Sequence, residues 1–206
     1  MLGSTLAALG GVLGGWALRA SARASSAPAM LPEPIELHPA GDFTHPDAGF
    51  PMPETAGPFR RVAVTQYDVA GRNLSAGYNL VPGEGHSLPI AATLYVYPAR
   101  PGSDLDARFD ALVRDIAASH GGATPEFRTN VLLSDRRLVA RYAVFGFKEP
   151  FGVLKKGIPL RSYLVLYQWS GWWVKWRATT PAPVDGPRMR AIVELTETLL
   201  PPAGQS

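Results

Sequence analysis

Residues 162–180 read S-Y-L-V-L-Y-Q-W-S-G-W-W-V-K-W-R-A-T-T, and their pattern decides the fold. Two runs rich in β-branched and aromatic side chains flank Ser170-Gly171, a two-residue connection of the kind that closes a tight hairpin. Folding the runs about that turn sets Trp169 opposite Trp172, Tyr167 opposite Val174, Val165 opposite Trp176 and Tyr163 opposite Ala178. Side chains alternate along a strand, so these eight share one face. That face is uniformly apolar and is expected to be the floor of the core. The other face sets Gln168 against Trp173, Leu166 against Lys175 and Leu164 against Arg177, a mixture of apolar and cationic groups.

Working outward, Lys148–Pro159 interrupts the alternation with K-E-P-F-G-V-L-K-K-G-I-P and reads as a loop. It carries Phe151, Val153 and Leu154 beside Lys155 and Lys156. Before it, Glu126–Leu133 and Leu138–Phe147 read as a hairpin joined through Ser134–Arg137. Asp104–Ser119 is the clearest helix, with Leu105, Phe109, Leu112, Val113 and Ile116 recurring as one apolar stripe. Ser103 is placed to cap its start, Gly121-Gly122 to end it, and Asp104–Arg108 and Asp110–Arg114 fall at i,i+4 spacing on its exposed side. Pro89–Pro98 reads as a strand with Leu94 and Val96 on one side and Thr93, Tyr95 and Tyr97 on the other. Phe59–Asn79 reads as a hairpin turning at Asp68–Asn73. Downstream, Val184–Leu200 reads as a second helix opened by Pro187, its inward stripe Met189, Ile192, Val193, Thr196, Leu199 and Leu200.

Residues 59–200 therefore predict one α+β domain: a largely antiparallel sheet of six or seven strands with both helices packed on one face. The element order resembles the PsbP-like α+β architecture and that of uncharacterised bacterial exported proteins. The likeness lies in order alone. It implies a binding or assembly role rather than catalysis and assigns no functional residue.

The remaining segments bear on address. Leu6–Leu18 is an apolar, Gly-rich run of about 20 Å as a helix at 1.5 Å per residue, shorter than a ~30 Å hydrocarbon core. That length suits the core of a signal peptide spanning residues 1–24. Small residues downstream offer cleavage after Ala22, Ala24 or Ala29, although no basic residue precedes the run. Residues 25–58 are rich in proline and lack a sustained period, which reads as a linker or a strap laid over the domain. Residues 201–206 read as a tail. A mature domain in the periplasm or outside the cell, with no stable transmembrane span after processing, is the expectation.

Composition narrows the function classes. The hydrophobic fraction of 46% excludes wholesale disorder. The formal charge of +3 includes Arg19 and Arg23 of the leader, and the rest holds 18 basic against 17 acidic residues. A balance so close to neutral does not suit a nucleic-acid binder. With no cysteine there is no disulfide and no thiolate nucleophile or metal ligand. Phosphate-binding and dinucleotide loops, the G-x-S-x-G elbow and H-E-x-x-H are all absent, which points away from an enzyme. His38, Asp42, His45 and Asp47 have metal-ligating chemistry but sit in a stretch of turn formers, so no metal and no other cofactor is expected. Glu84 and His86 lie in a Gly/Pro-rich stretch that reads as a solvated loop.

Two candidate sites remain. On the mixed sheet face, Lys175 and Arg177 need solvent, a carboxylate or an anionic ligand, with Trp173 beside them to stack on it. In the 148–159 segment, Phe151, Val153, Leu154, Lys155 and Lys156 combine apolar and basic groups suited to an envelope protein or an anionic surface. The leading expectation is a non-catalytic binding or accessory module of the cell envelope. The alternatives are a small-molecule binder or hydrolase-like enzyme using the face around Lys175 and Arg177, and a structural envelope protein.

Overall fold

The computed structural model describes residues 29–80, 89–133, 138–152 and 154–201, with the side chains of Leu154 and Lys155 outside the description. Four short strands come first: β1 (Met30–Leu37), β2 (Phe43–Thr44), β3 (Pro51–Met52) and β4 (Thr55–Ala56). The meander β5 (Phe59–Asp68), β6 (Leu74–Leu80), β7 (Ile90–Pro98) follows, then the helix α1 (Leu105–Ser119). A second meander, β8 (Pro125–Leu133), β9 (Leu138–Phe151), β10 (Leu154–Trp169), β11 (Trp172–Pro181), leads into α2 (Gly186–Thr198).

The central hairpin has the register its sequence demands. Trp169 pairs with Trp172, Tyr167 with Val174, Val165 with Trp176 and Tyr163 with Ala178. Ser170 and Gly171 take φ of 47° and 80°, the two positive values that match a two-residue turn to the twist of its strands. The two meanders join where β11 pairs antiparallel with β7. The full order is β1-β5-β6-β7-β11-β10-β9-β8, with β4 also on β5, giving nine strands. This corrects the expected six or seven. The excess is β1 and β4, contributed by the segment read as a linker. Pro32 and Pro34 lie on β1 at the sheet edge, where a missing N–H costs nothing, and its register shifts between Met30 and Ile35. Such a strand leaves no period-2 signal.

The helices lie on opposite faces, which corrects the expected packing on one. Phe109, Leu112, Val113 and Ile116 of α1 pack on Ala143, Phe145, Leu164, Leu166 and Trp173. Ala191, Ile192 and Leu195 of α2 share the other core with Val165, Tyr167, Val174 and Trp176. β10 thus feeds both cores from alternate side chains, which is why it reads as a nearly continuous apolar run. The stripe of α2 is also rotated from expectation. Arg188, Ala191, Ile192 and Leu195 face inward, whereas Met189 and Val193 are 40% and 47% exposed. Arg188 is buried because its guanidinium donates to Thr180 Oγ1 (3.2 Å), to the Pro181 carbonyl (2.6 Å) and to the Pro183 carbonyl. A hydropathy pattern cannot anticipate a buried arginine.

Lys148–Pro159 is not a loop: β9 runs to Phe151, Gly152 turns with φ 55°, and β10 has begun by Leu154. The N-terminal strap is held by Arg61, which donates to the carbonyls of Pro39 (2.8 Å), Gly41 (2.6 Å) and Met52. Through it Phe50 and Met52 enter the core fully buried.

Candidate functional site

α1 starts one residue later than expected, capped by Asp104, whose Oδ1 accepts from the Ala107 amide at 2.7 Å. The helix covers the β9–β11 half of its face and leaves the β5–β7 half open. Cross-strand register stacks that open half. Lys175 of β11 pairs with Tyr95 of β7, and Tyr95 with Ser75 of β6. Ser75 Oγ lies 3.1 Å from the Tyr67 hydroxyl on β5. At the helix margin, Arg108 Nε and Nη2 donate to the Tyr97 hydroxyl at 3.1 and 3.0 Å, with the guanidinium 5.2 Å from that ring's centroid. Tyr67, Asn73, Tyr95, Tyr97, Arg108 and Lys175 line a pocket of about 180 Å³.

Lys175 dominates its electrostatics. Nζ sits 3.6 Å above the centre of the Tyr95 ring, a cation–π contact. Among the described residues its ammonium has no carboxylate partner, and none of the six lining residues is acidic. Burial, then repulsion from Arg108 and Arg177, pushes its pKa down to about 8, against the smaller pull of Asp115. Burial raises the phenol of Tyr95, with the neighbouring Tyr67 adding to it. Burial likewise raises Tyr97, partly offset by its bonds from Arg108. At neutral pH the pocket therefore presents neutral hydroxyls and two cations.

Arg177, two residues along the same face, is committed elsewhere. Its Nε donates to Ser162 Oγ at 2.7 Å and its Nη2 to His120 Nε2 at 2.9 Å. A guanidinium only donates, so His120 Nε2 accepts; its Nδ1 carries the hydrogen and donates to Glu149 Oε1 at 2.8 Å. The imidazole stacks on Phe147 with centroids 4.3 Å apart. Ser162, His120 and Glu149 are the residue types of a hydrolytic triad, but Arg177 stands between serine and histidine and Ser162 is fully buried. No nucleophile–base pair is formed.

Of the residues singled out from sequence, Lys175 alone lines the pocket. Trp173 is 3% exposed beneath α1 and offers no stacking surface. Phe151 is half-buried and Lys156 exposed at the far end of the β9–β10 hairpin. Val153 lies outside the described residues, as do the side chains of Leu154 and Lys155. His38 pairs with Glu36 at 3.0 Å, whereas His45 is buried with both ring nitrogens used, toward the Arg72 carbonyl and the Ala48 amide. Asp42 accepts from the Glu54 amide and Asp47 pairs with Arg72. Among the described residues no three His, Asp or Glu converge as metal ligands. The leader, Glu84 and His86 lie outside the described residues.

Sequence reasoning missed Tyr67, Asn73, Tyr95, Tyr97 and Arg108. The available signal was the hydroxyl-bearing side of Pro89–Pro98, opposite its aliphatic side. Arg108 was hidden by its i,i+4 spacing from Asp104. In the fold the aspartates of α1 reach across instead, Asp106 to Arg141 and Asp110 to Arg128. Among the described residues no helix is long and apolar enough to cross a membrane. No family model, curated protein or solved structure matches the chain.

Proposed function

We propose that the chain is an exported, non-catalytic binding module whose pocket takes a small organic anion with a planar body. The observation that carries this reading is the half-buried Lys175 ammonium, facing a pocket without an acidic lining residue. Burying a cation without a counter-charge is costly, and an anionic ligand offsets that cost. Arg108 at the rim adds a second cation, and the tyrosines add ring faces and neutral donors. A volume of about 180 Å³ falls below the ~300–1,000 Å³ of sites for drug-sized molecules, which favours an acid of one ring or less.

Calorimetric titration with benzoate tests this. Binding should weaken at least tenfold in Lys175→Met and in Arg108→Ala, and benzylamine should not bind. Benzoate affinity unchanged by both substitutions, or absent in the unsubstituted protein, would overturn the reading. The exported address rests on the Leu6–Leu18 run and the small residues after it. The Ala29 carbonyl accepts from the Val69 amide at 2.9 Å where β1 begins, which favours cleavage after Ala22 or Ala24 over Ala29. The intact mass of chain recovered from an exporting host checks this, and a cytosolic chain still starting at Met1 would refute it.

A further inference from the structure

We infer that Lys175 captures small oxo acids, carboxylates bearing an aldehyde or ketone carbon, as a reversible imine. This rests on the pocket being an anion site and names the ligand's second functional group.

Three features of the pocket converge on that chemistry. First, among the described residues the Lys175 amine makes no hydrogen bond and no ion pair, only the contact with the Tyr95 ring. It is reachable from the cavity it lines. Second, Arg108 spends Nε and Nη2 on Tyr97, and its Nη1 has no hydrogen-bond partner among the described residues. That leaves a charged donor for the carboxylate while the amine meets the carbonyl carbon. Third, the phenols of Tyr67 and Tyr97 line the same space as proton donors.

The groups facing Lys175 are Tyr67 from β5, Tyr95 and Tyr97 from β7, Arg108 and Asp115 from α1, and Arg177 from its own strand. Among the charged groups only Asp115 favours the ammonium over the amine, and the face of the Tyr95 ring adds a cation–π pull in the same direction. With the pKa at about 8, about a tenth of the chains hold a free amine at pH 7, against roughly one in 3,000 for a lysine at 10.5. The nitrogen lone pair attacks the carbonyl carbon as the C=O π bond opens, and the oxygen takes up a proton while nitrogen loses one. The carbinolamine then expels water and nitrogen keeps a double bond to carbon. Amine plus carbonyl gives imine plus water, with no oxidant or reductant. Hydrolysis by the same steps in reverse releases the ligand.

The experiment treats the mature chain with pyruvate and borohydride, maps modified peptides by mass spectrometry, and titrates benzoate in parallel. Lys175 should be labelled at least tenfold faster at pH 7 than the exposed Lys148 and Lys156, with half-maximal rate near pH 8. Arg108→Ala should slow labelling by pyruvate more than labelling by acetone, because both lose the repulsion that frees the amine but only pyruvate loses a partner for its carboxylate. Labelling spread over the lysines in proportion to exposure, or an unlabelled Lys175, would overturn the inference. Benzoate binding with no trapped Lys175 would remove the imine and leave the anion site standing. Loss of both would remove both.

Discussion

Lys175→Met should stabilise the protein at neutral pH, and the gain should shrink as pH rises. Burial and two arginines move the Lys175 pKa from 10.5 down to about 8. At about 1.36 kcal/mol per unit, the charged native state carries a penalty on the order of 3 kcal/mol below pH 8. Between pH 8 and 10.5 the unfolded chain still holds a proton that the native chain has lost. The unfolded state then binds more protons, so stability rises with pH across that window. About 2 kcal/mol of the rise falls between pH 7 and 9.5. Methionine keeps the apolar stem but gives up the contact with Tyr95, worth about 0.5–2 kcal/mol. The net expectation is a variant more stable by about 1–2 kcal/mol at pH 7, with the gap narrowing by about 2 kcal/mol by pH 9.5. Above that pH, Tyr78, Tyr142 and Tyr167, whose buried phenols are raised, give the opposite slope in both proteins, so the difference is read below it. Urea melts at half-unit pH steps supply the two curves. Parallel curves would refute the reasoning, because they would mean the amine is not desolvated in the native state. A residue that lowers stability where methionine would raise it fits the trade-off between stability and activity common at functional sites.

Trp176 is 1% exposed, so Trp176→Ala should cost about 3–5 kcal/mol in denaturant melts. Its Nε1 is buried without a partner among the described residues, so Trp176→Phe should cost far less, and equal losses would place the ring elsewhere. Burial lowers the His45 pKa below 6.5, against weaker pulls from the Arg72 carbonyl, Asp47 and Asp68. As pH falls through 6.5 the unfolded chain takes up the proton first and stability drops; His45→Gln should flatten that decline, and an unchanged slope in thermal melts would exclude it. Arg61→Ala strands three strap carbonyls, so it should cost at least about 2 kcal/mol and speed proteolysis between residues 39 and 54, and a cleavage rate equal to that of the unsubstituted protein would count against the clamp.

The central hairpin was legible because Ser170-Gly171 fixes a register from local information alone. β1 was not, because Pro32 and Pro34 erase its alternation and only pairing with β5 makes it a strand. The second core was half legible. Leu164, Leu166 and Trp173 were visible on the mixed face, but Lys175 and Arg177 among them made it look solvent-exposed. Lys175 could be singled out as a cation in need of an answer. Tyr95 could not be assigned to it, because nothing local says that the strand before α1 pairs with β11, the last strand in chain order.

The place of the pocket nevertheless follows from simple dimensions. A helix is about 10 Å across, whereas the eight strands that lie side by side, at about 4.8 Å spacing, make a sheet roughly 35 Å wide. One helix on a face covers two or three strands, and α1 covers β9 to β11. The face beyond it must be lined by residues that tolerate partial exposure yet still pack, which tyrosine does with an apolar ring and a polar tip. At the boundary between covered and open sheet, a lysine is dry enough for its pKa to fall to about 8 and open enough to be reached. Lys175 occupies that boundary, with α1 supplying Arg108 from one side and β5 to β7 supplying the tyrosines from the other. The site is therefore a product of where the helix stops covering the sheet, and it needs both meanders in place before any of it exists.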